Sequence, residues 1–167
     1  TPHKNTRDSC GRPILSYSIR AALESGAFDE VMVSTDDDEI VRVARQWGAA
    51  VPFLRSQDTS GDYASTDDVI LEVIRDYEKQ GICFERFCCI YPTAPFLTAQ
   101  RLREAMALLD TAESVMPVVA FSYPPQRGLV VENGRVRRKY PQYQNTRSQD
   151  LEKMYHDCGQ FYACRTE

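Results

Sequence analysis

No C-x-x-C pair links any of the six cysteines, at 10, 83, 88, 89, 158 and 164, and Cys88 and Cys89 adjoin inside an apolar run. That pattern argues against a zinc ribbon or a disulfide framework and for reduced packing residues. Histidine is scarce too: His3 and His156 lie far apart in sequence and do little to assemble a metal cluster. The longest apolar stretches, Ala49–Leu54 and Val115–Phe121, fall far short of the roughly 20 residues that span a bilayer. No segment reads as a signal peptide, so the expectation is a cytoplasmic protein with no membrane partner. Basic excess is also missing. A net charge of −4 gives no support for general nucleic-acid binding, which needs a positive surface to neutralise phosphates. A few local arginines can still hold a small anionic ligand. Repeats and low-complexity segments are absent.

What is there fits one globular domain with a real core: 167 residues, 43% hydrophobic and 26% charged. Pro13 opens a helix through Ser25 whose stripe of Ile14, Leu15, Ile19, Ala22 and Leu23 is apolar, with Gly26 as its stop. Val31–Val33 reads as a short strand, 37–47 as a helix burying Ile40, Val41, Ala44 and Trp47, and Ala50–Leu54 as a third element, a strand. Ser65 to Asp68 has capping-box spacing ahead of Val69, Ile70, Val73, Ile74 and Tyr77 at helical intervals. Thr98 caps a helix over 99–109, and Ser114–Phe121 is a strongly β-branched strand. Strands alternate with helices. That rhythm predicts right-handed βαβ crossovers and a largely parallel sheet between helices.

From Gly128 the pattern changes. Leu129–Glu132, then Asn133-Gly134, then Arg135–Arg138 is a hairpin with a type I′ turn signal. Arg135, Arg137, Arg138 and Lys139 read as its solvated or interfacial face. A polar, arginine-rich stretch follows before a strand returns at Gln160–Cys164.

The most informative stretch is Phe87-Cys-Cys-Ile-Tyr-Pro-Thr-Ala-Pro-Phe-Leu-Thr98, where a buried apolar strand runs into a double-proline turn and a helix cap. Residues 87–91 alternate too little to be half-exposed and read as an inner strand covered on both faces. Pro92 and Pro95 stop it, leaving Tyr91 and Thr93 at the carboxyl end, where open α/β sheets bind ligands. By itself the stretch is equally a well-made strand-to-helix connection.

Five separated motifs occur in one order: Ser34-Thr-Asp-Asp-Asp-Glu39, Phe53-Leu-Arg55, the Tyr91-Pro-Thr-Ala-Pro-Phe-Leu97 turn, Arg147-Ser-Gln-Asp-Leu151 and Tyr155-His-Asp-Cys-Gly-Gln-Phe-Tyr162. Together they resemble the acylneuraminate cytidylyltransferases, the CMP-sialic acid synthetase family, over nearly the whole chain. Tyr91 and Tyr123-Pro-Pro-Gln-Arg127 look most like the bacterial pseudaminic acid branch. The resemblance implies a Rossmann-like nucleotide-diphosphosugar-transferase fold, mostly parallel, with residues 122–158 as an excursion whose hairpin serves a homodimer and the sugar side. It implies attack by the anomeric hydroxyl of a nonulosonic acid on the α-phosphorus of CTP, releasing pyrophosphate, with Mg²⁺, for surface glycan or flagellin glycosylation.

Residue by residue, the resemblance assigns Lys4 and Asn5 to the triphosphate and cytidine, and Arg55, Thr66 and Tyr91 to the nucleotide. Each has a plainer reading: an exposed terminal pair, a surface arginine, a helix-capping Ser-Thr pair. Tyr91 stands where sialic acid synthetases usually have glutamine, so an aromatic ring replaces an amide. Gln126, Arg127, Arg147 and Gln149 are the candidates for the sugar carboxylate and acyl amide. His156 and Asp157 replace an Arg-Pro pair of the sialic acid branch, and Asp157 can approach metal or substrate. Lys4 and Arg147 are the candidate catalytic cations. Asp36, Asp37 and Asp38 invite a metal reading, but acids at a helix start cap free N–H groups and favour the macrodipole. Asp62 has the same two readings.

The family begins with a strand and an A-R-x-G-S-K-type phosphate loop just upstream of Thr1, and places its magnesium-binding aspartates in an I-D-x-x-x-D-type segment that nothing here matches. The expectation is therefore a piece of a longer enzyme, with no metal ligand assigned within 1–167. Rival readings are an N-acetylneuraminate or legionaminate cytidylyltransferase, a nucleotidyltransferase for another sugar or polyol phosphate, and a noncatalytic nucleotide-binding remnant.

Overall fold

A computed structural model describes residues 4–61 and 63–166, so His3 and Asp62 lie outside the described residues. Two units emerge from the chain's contacts: Thr1–Met116 with Gly159–Glu167, and Pro117–Cys158.

In the first unit, β1 (Asp8–Ser9) and β2 (Arg12–Pro13) form a tight antiparallel hairpin across Cys10 and Gly11, both with positive φ. It leads directly into α1 (Ile14–Ser25), whose C-cap Gly26 adopts the left-handed conformation that glycine takes without steric cost. Leu15, Ile19 and Ala22 are buried as the stripe requires, but Leu23 is 43% exposed. It lies at the edge of the stripe, and its Cδ1 lies 3.1 Å from where a Cβ on Gly48 would stand. α2 (Asp38–Gln46) starts from Asp37, whose carboxylate accepts from the N–H groups of Glu39 at 2.7 Å and Ile40 at 3.3 Å. That is the capping role of the acid triplet. Among the described residues no group of three His, Cys, Asp or Glu side chains could hold a metal.

Two short strands expected at 31–33 and 50–54 reduce to one parallel bridge, Met32 with Ala50. Pro52 follows within two residues, lacks an N–H and ends the pairing at once. A single turn of helix, α3 (Gln57–Ser60), has no counterpart in the sequence reading. α4 (Thr66–Lys79) carries the reciprocal capping box between Ser65 and Asp68. Its Tyr77 is buried between Phe53 and Phe84, edge-on to both, and donates to Glu30. Burial, then Glu30's carboxylate, push the phenol's pKa up.

The strand β3 (Arg86–Ile90) is followed by the proline turn and by α5 (Ala99–Leu108), capped by Thr98. The β-branched stretch beyond does not form one strand. It breaks at Met116-Pro117 into β4 (Ser114–Val115) and β5 (Val118–Ala120), because proline cannot donate to a ladder.

The second unit contains β5, the hairpin of β6 (Leu129–Glu132) and β7 (Arg135–Arg138), and β8 (Tyr155–Asp157). Asn133 and Gly134 both have positive φ, as a two-residue primed turn demands. β8 pairs antiparallel with β5, setting His156 opposite Val119. Of this unit's described residues only Gln126 is buried, while Val131 and Val136, paired across the hairpin, are 71% and 64% exposed.

Back in the first unit, β9 (Phe161–Arg165) pairs antiparallel with β3 on one edge and β4 on the other. The largely parallel sheet expected from the alternation is therefore not what these strands pair into. β9 follows the excursion of residues 117–158 with no crossover helix packed before it, and it runs opposite to both neighbours. β3 and β4, joined through α5, run alike on either side of it.

Alternation divides this sheet. Cys88, Ile90, Phe161 and Ala163 face a core with Ala21, Ala22, Leu97, Leu102 and Ala105 from α1 and α5 and the turn between. The opposite residues, Phe87, Tyr91, Tyr162 and Cys164, line an open cleft against α4. The expected coverage of both faces is thus realised on one.

Leu102 is fully buried in the core. Leu102→Ala should cost about 2–5 kcal/mol in urea unfolding with an unchanged m-value; a loss under about 1 kcal/mol would contradict this core. Burial raises the Cys88 thiol to about 12, whereas Cys10 and Cys83 are exposed. Cys10 and Cys83 should label with a thiol reagent at neutral pH while Cys88 stays silent until unfolding.

Candidate functional site

The cleft between α4 and the β3–β9–β4 sheet encloses about 540 Å³. Its walls are mostly apolar, with Ile70, Leu71, Ile74, Phe87, Val115 and Met116, and its polar groups are few. This combination suits a ligand with a flat apolar body and a few directional polar groups.

Tyr91 and Thr66 both line it. Tyr91 is fixed from three sides. Its N–H donates to the Gln160 carbonyl at 2.9 Å, its carbonyl accepts from the Ser18 hydroxyl at 2.9 Å, and its ring meets Tyr162 edge-on at 5.6 Å. The phenol oxygen ends 3.4 Å from the Thr66 hydroxyl. Thr66 opens α4, where Ser65 and Asp68 already cap the helix. Asp67 lies beside Thr66 in the same lining.

Arg55 follows the parallel bridge. Its N–H donates to the Thr35 carbonyl at 2.9 Å, and its Nε and Nη2 donate to the Ser34 hydroxyl and carbonyl at 3.0 and 2.6 Å. Its charge is felt at Cys89, the residue between the cleft-lining Phe87 and Tyr91. Lys4 is exposed. Asn5 sits at the foot of α1, its carbonyl accepting from Leu15 N–H at 3.1 Å and its Oδ1 buried without a partner among the described residues.

The sugar-side candidates all belong to the second unit. Ser148, Gln149 and Lys153 line a pocket of about 240 Å³ with Phe121, Pro124, Pro125 and Met154. Gln126 is buried, donates through Nε2 to the Glu152 carbonyl at 2.9 Å, and keeps an Oε1 without a partner among the described residues. Arg127 donates to the Thr146 carbonyl and buries an Nε with no partner among the described residues. Arg147 forms a two-pronged pair with Asp150 at 2.7 and 3.2 Å on an exposed turn. The His156 ring packs on Phe121 at 4.8 Å, and Asp157 is exposed in the same strand.

The structure thus brings Thr66 and Tyr91 together in the cleft, whose lining among the described residues does not include Arg55, Lys4 or Asn5. Gln149 shares its pocket with Ser148 and Lys153. Sequence reasoning missed Tyr162 and Asp67 in the first cleft. Tyr162 was findable, since period-2 alternation in Phe161–Cys164 puts it opposite Phe161; Asp67 was hidden behind its helix-start role.

A family model described as "Cytidylyltransferase" matches residues 1–162. The chain is 41% identical over 164 residues to a pseudaminic acid cytidylyltransferase of Campylobacter jejuni, covering 96% of this chain and 71% of that protein. It is 34% identical over 125 residues to a CMP-N,N'-diacetyllegionaminic acid synthase of Legionella pneumophila, covering 74% and 54%. A solved CMP:2-keto-3-deoxy-manno-octonic acid synthetase complexed with CTP superposes with a TM-score of 0.70 at 18% identity, over 99% of this chain and 68% of that one. That likeness carries the α/β nucleotidyltransferase fold alone.

At 3.4 Å on an exposed rim, the Thr66–Tyr91 hydroxyl contact is too long to stabilise much. Tyr91→Phe should shift unfolding free energy by less than about 0.5 kcal/mol in urea titration, whereas a loss above about 1 kcal/mol would make the pair a structural bond.

Proposed function

The chain belongs to the cytidylyltransferase family, and we propose that it transfers CMP from CTP to the anomeric hydroxyl of a nonulosonic acid, with pseudaminic acid as the acceptor. The observation that carries this is the 41% identity spread over 96% of the chain. The legionaminate relative matches less of the chain at lower identity, which favours the pseudaminic branch.

In the reaction the sugar hydroxyl loses its proton and bonds to the α-phosphorus, while the bond to the β-phosphate oxygen breaks and pyrophosphate leaves. Two anions must be brought together, so fixed cations and oriented donors supply most of the catalysis. Lys4 and Asn5 meet the triphosphate and cytidine. Arg55 supports the nucleotide through the guanidinium edge that Ser34 does not occupy, a geometry suited to bidentate contact. Tyr91 offers its ring to base or sugar, and Thr66 its hydroxyl. Asp67 beside Thr66 disfavours a phosphate there, which supports the nucleoside end at this rim.

On the acceptor side, Arg147 takes the sugar carboxylate, exchanging its pair with Asp150, and Gln126, Arg127, Gln149, His156 and Asp157 read the remaining substituents. Mg²⁺ would neutralise the triphosphate when bound. The described residues offer it no cluster of ligands. A homodimer through the β6–β7 hairpin is supported by Leu129, Val131 and Val136, all at least 60% exposed. A cytoplasmic location agrees with a CTP substrate; among the described residues no helix is long and apolar enough to cross a membrane.

The intact protein should release pyrophosphate from CTP only with Mg²⁺ and a nonulosonic acid, fastest with pseudaminic acid. Equal turnover of UTP with a hexose phosphate would reject the assignment. Arg55→Ala should raise KM for CTP and Arg147→Ala KM for the sugar, each by about 10-fold or more; equal, negligible effects would return both to the surface.

A further inference from the structure

One carboxylate outside the cleft ties two candidate nucleotide contacts together. Glu72 lies on α4 six residues after Thr66, about 9 Å along the axis. Its Oε1 accepts from the Ser56 N–H at 2.8 Å, and its Oε2 accepts from the Thr59 hydroxyl. Ser56 is the residue after Arg55, and the Ser60 hydroxyl closes the same turn onto the Ser56 carbonyl at 2.7 Å. On its other side Arg55 is held by Ser34 and Thr35. The segment 55–60 therefore has two anchors, and among the described residues Glu72 alone hydrogen-bonds it to the helix bearing Thr66.

We propose that Glu72 is a positioning residue of the nucleotide site, clamping segment 55–60 onto α4 so that Arg55 and Thr66 keep a fixed separation. It touches no substrate. The inference rests on the reading of Arg55 and Thr66 as nucleotide contacts. Glu72 is partly buried, and burial opposes its ionisation, but the bonds from Thr59 and Ser56 and the charge of Arg55 outweigh it and hold its pKa below the usual carboxylate range. A depressed folded-state pKa means that the clamp is intact at neutral pH and lost only as pH falls through that lowered value. Within the physiological range it acts as a fixed brace.

The test is a double-mutant cycle in the intact protein, reading KM for CTP and kcat for Glu72→Ala, Glu72→Gln, Arg55→Ala and Arg55→Ala/Glu72→Ala. Glu72→Ala should raise KM for CTP about fivefold with kcat within about twofold, and Glu72→Gln, which keeps one acceptor, should fall between it and wild type. Because Glu72 acts through Arg55, adding Glu72→Ala to Arg55→Ala should change KM by less than about twofold. Full multiplication of the two effects would mark a general structural role and overturn the proposal. So would an unchanged KM in Glu72→Ala beside an impaired Arg55→Ala. An unaffected Arg55→Ala would instead defeat the reading of Arg55, and the proposal with it. If Glu72→Ala does not fold, Thr59→Val removes a single bond and enters the same cycle, with a KM increase of about two- to threefold expected and none overturning the clamp.

Discussion

The antiparallel ladder between β3 and β9 governs the rest of the first unit. Five residue pairs, from Arg86 with Arg165 to Ile90 with Phe161, fix which side chains point to the helices and which to the cleft. A slip of one residue would send Tyr91 and Tyr162 into the core and Ile90 and Phe161 into solvent. Register is held by that apolar set: Phe161 and Ala163 are buried against α1 and α5, and cannot exchange places with tyrosine and cysteine without large loss. Arg165, at the far end of the ladder, donates to the Leu109 and Asp110 carbonyls and pins β9 to the C-terminus of α5.

The same register explains how a core-building strand also lines a cleft. Each residue of β3 is only partly buried, because one face packs and the other opens beside α4. The rim of the cleft then depends on what α4 presents. Its capping box fixes where the helix begins, which sets Thr66 next to Tyr91, and Glu72 fixes what lies alongside. Packing, capping and site geometry are thus consequences of one strand pairing and one helix start.

Local signals were legible wherever the local chemistry decided the outcome. Pro13 and Gly26 bound α1, Ser65 with Asp68 opens α4, Thr98 caps α5, and Asn133-Gly134 turns the hairpin, all as side-chain and φ preferences dictate. Asp36–Asp38 resolved the same way, through the cap that Asp37 makes. What stayed hidden was non-local. The direction of β9 depends on the route the chain takes back from the second unit, which no window of sequence around Phe161 records. Ser114–Phe121 looked continuous because β-branched composition outweighed one proline, yet Pro117 splits it between partners in different units. For the site, Thr66 and Tyr91 came from family motifs and share a cleft. Tyr162, Asp67 and Glu72 needed coordinates, since their roles arise from pairing and helix packing.

The proposed function seats a pyrimidine nucleotide at the rim formed by α4 and the end of β3. A crystal structure of the intact protein with CTP tests it most directly. Cytidine is expected in contact with Thr66 and the Tyr91 ring, with the Arg55 guanidinium on the nucleotide. CTP bound elsewhere, with all three side chains solvated, would contradict it.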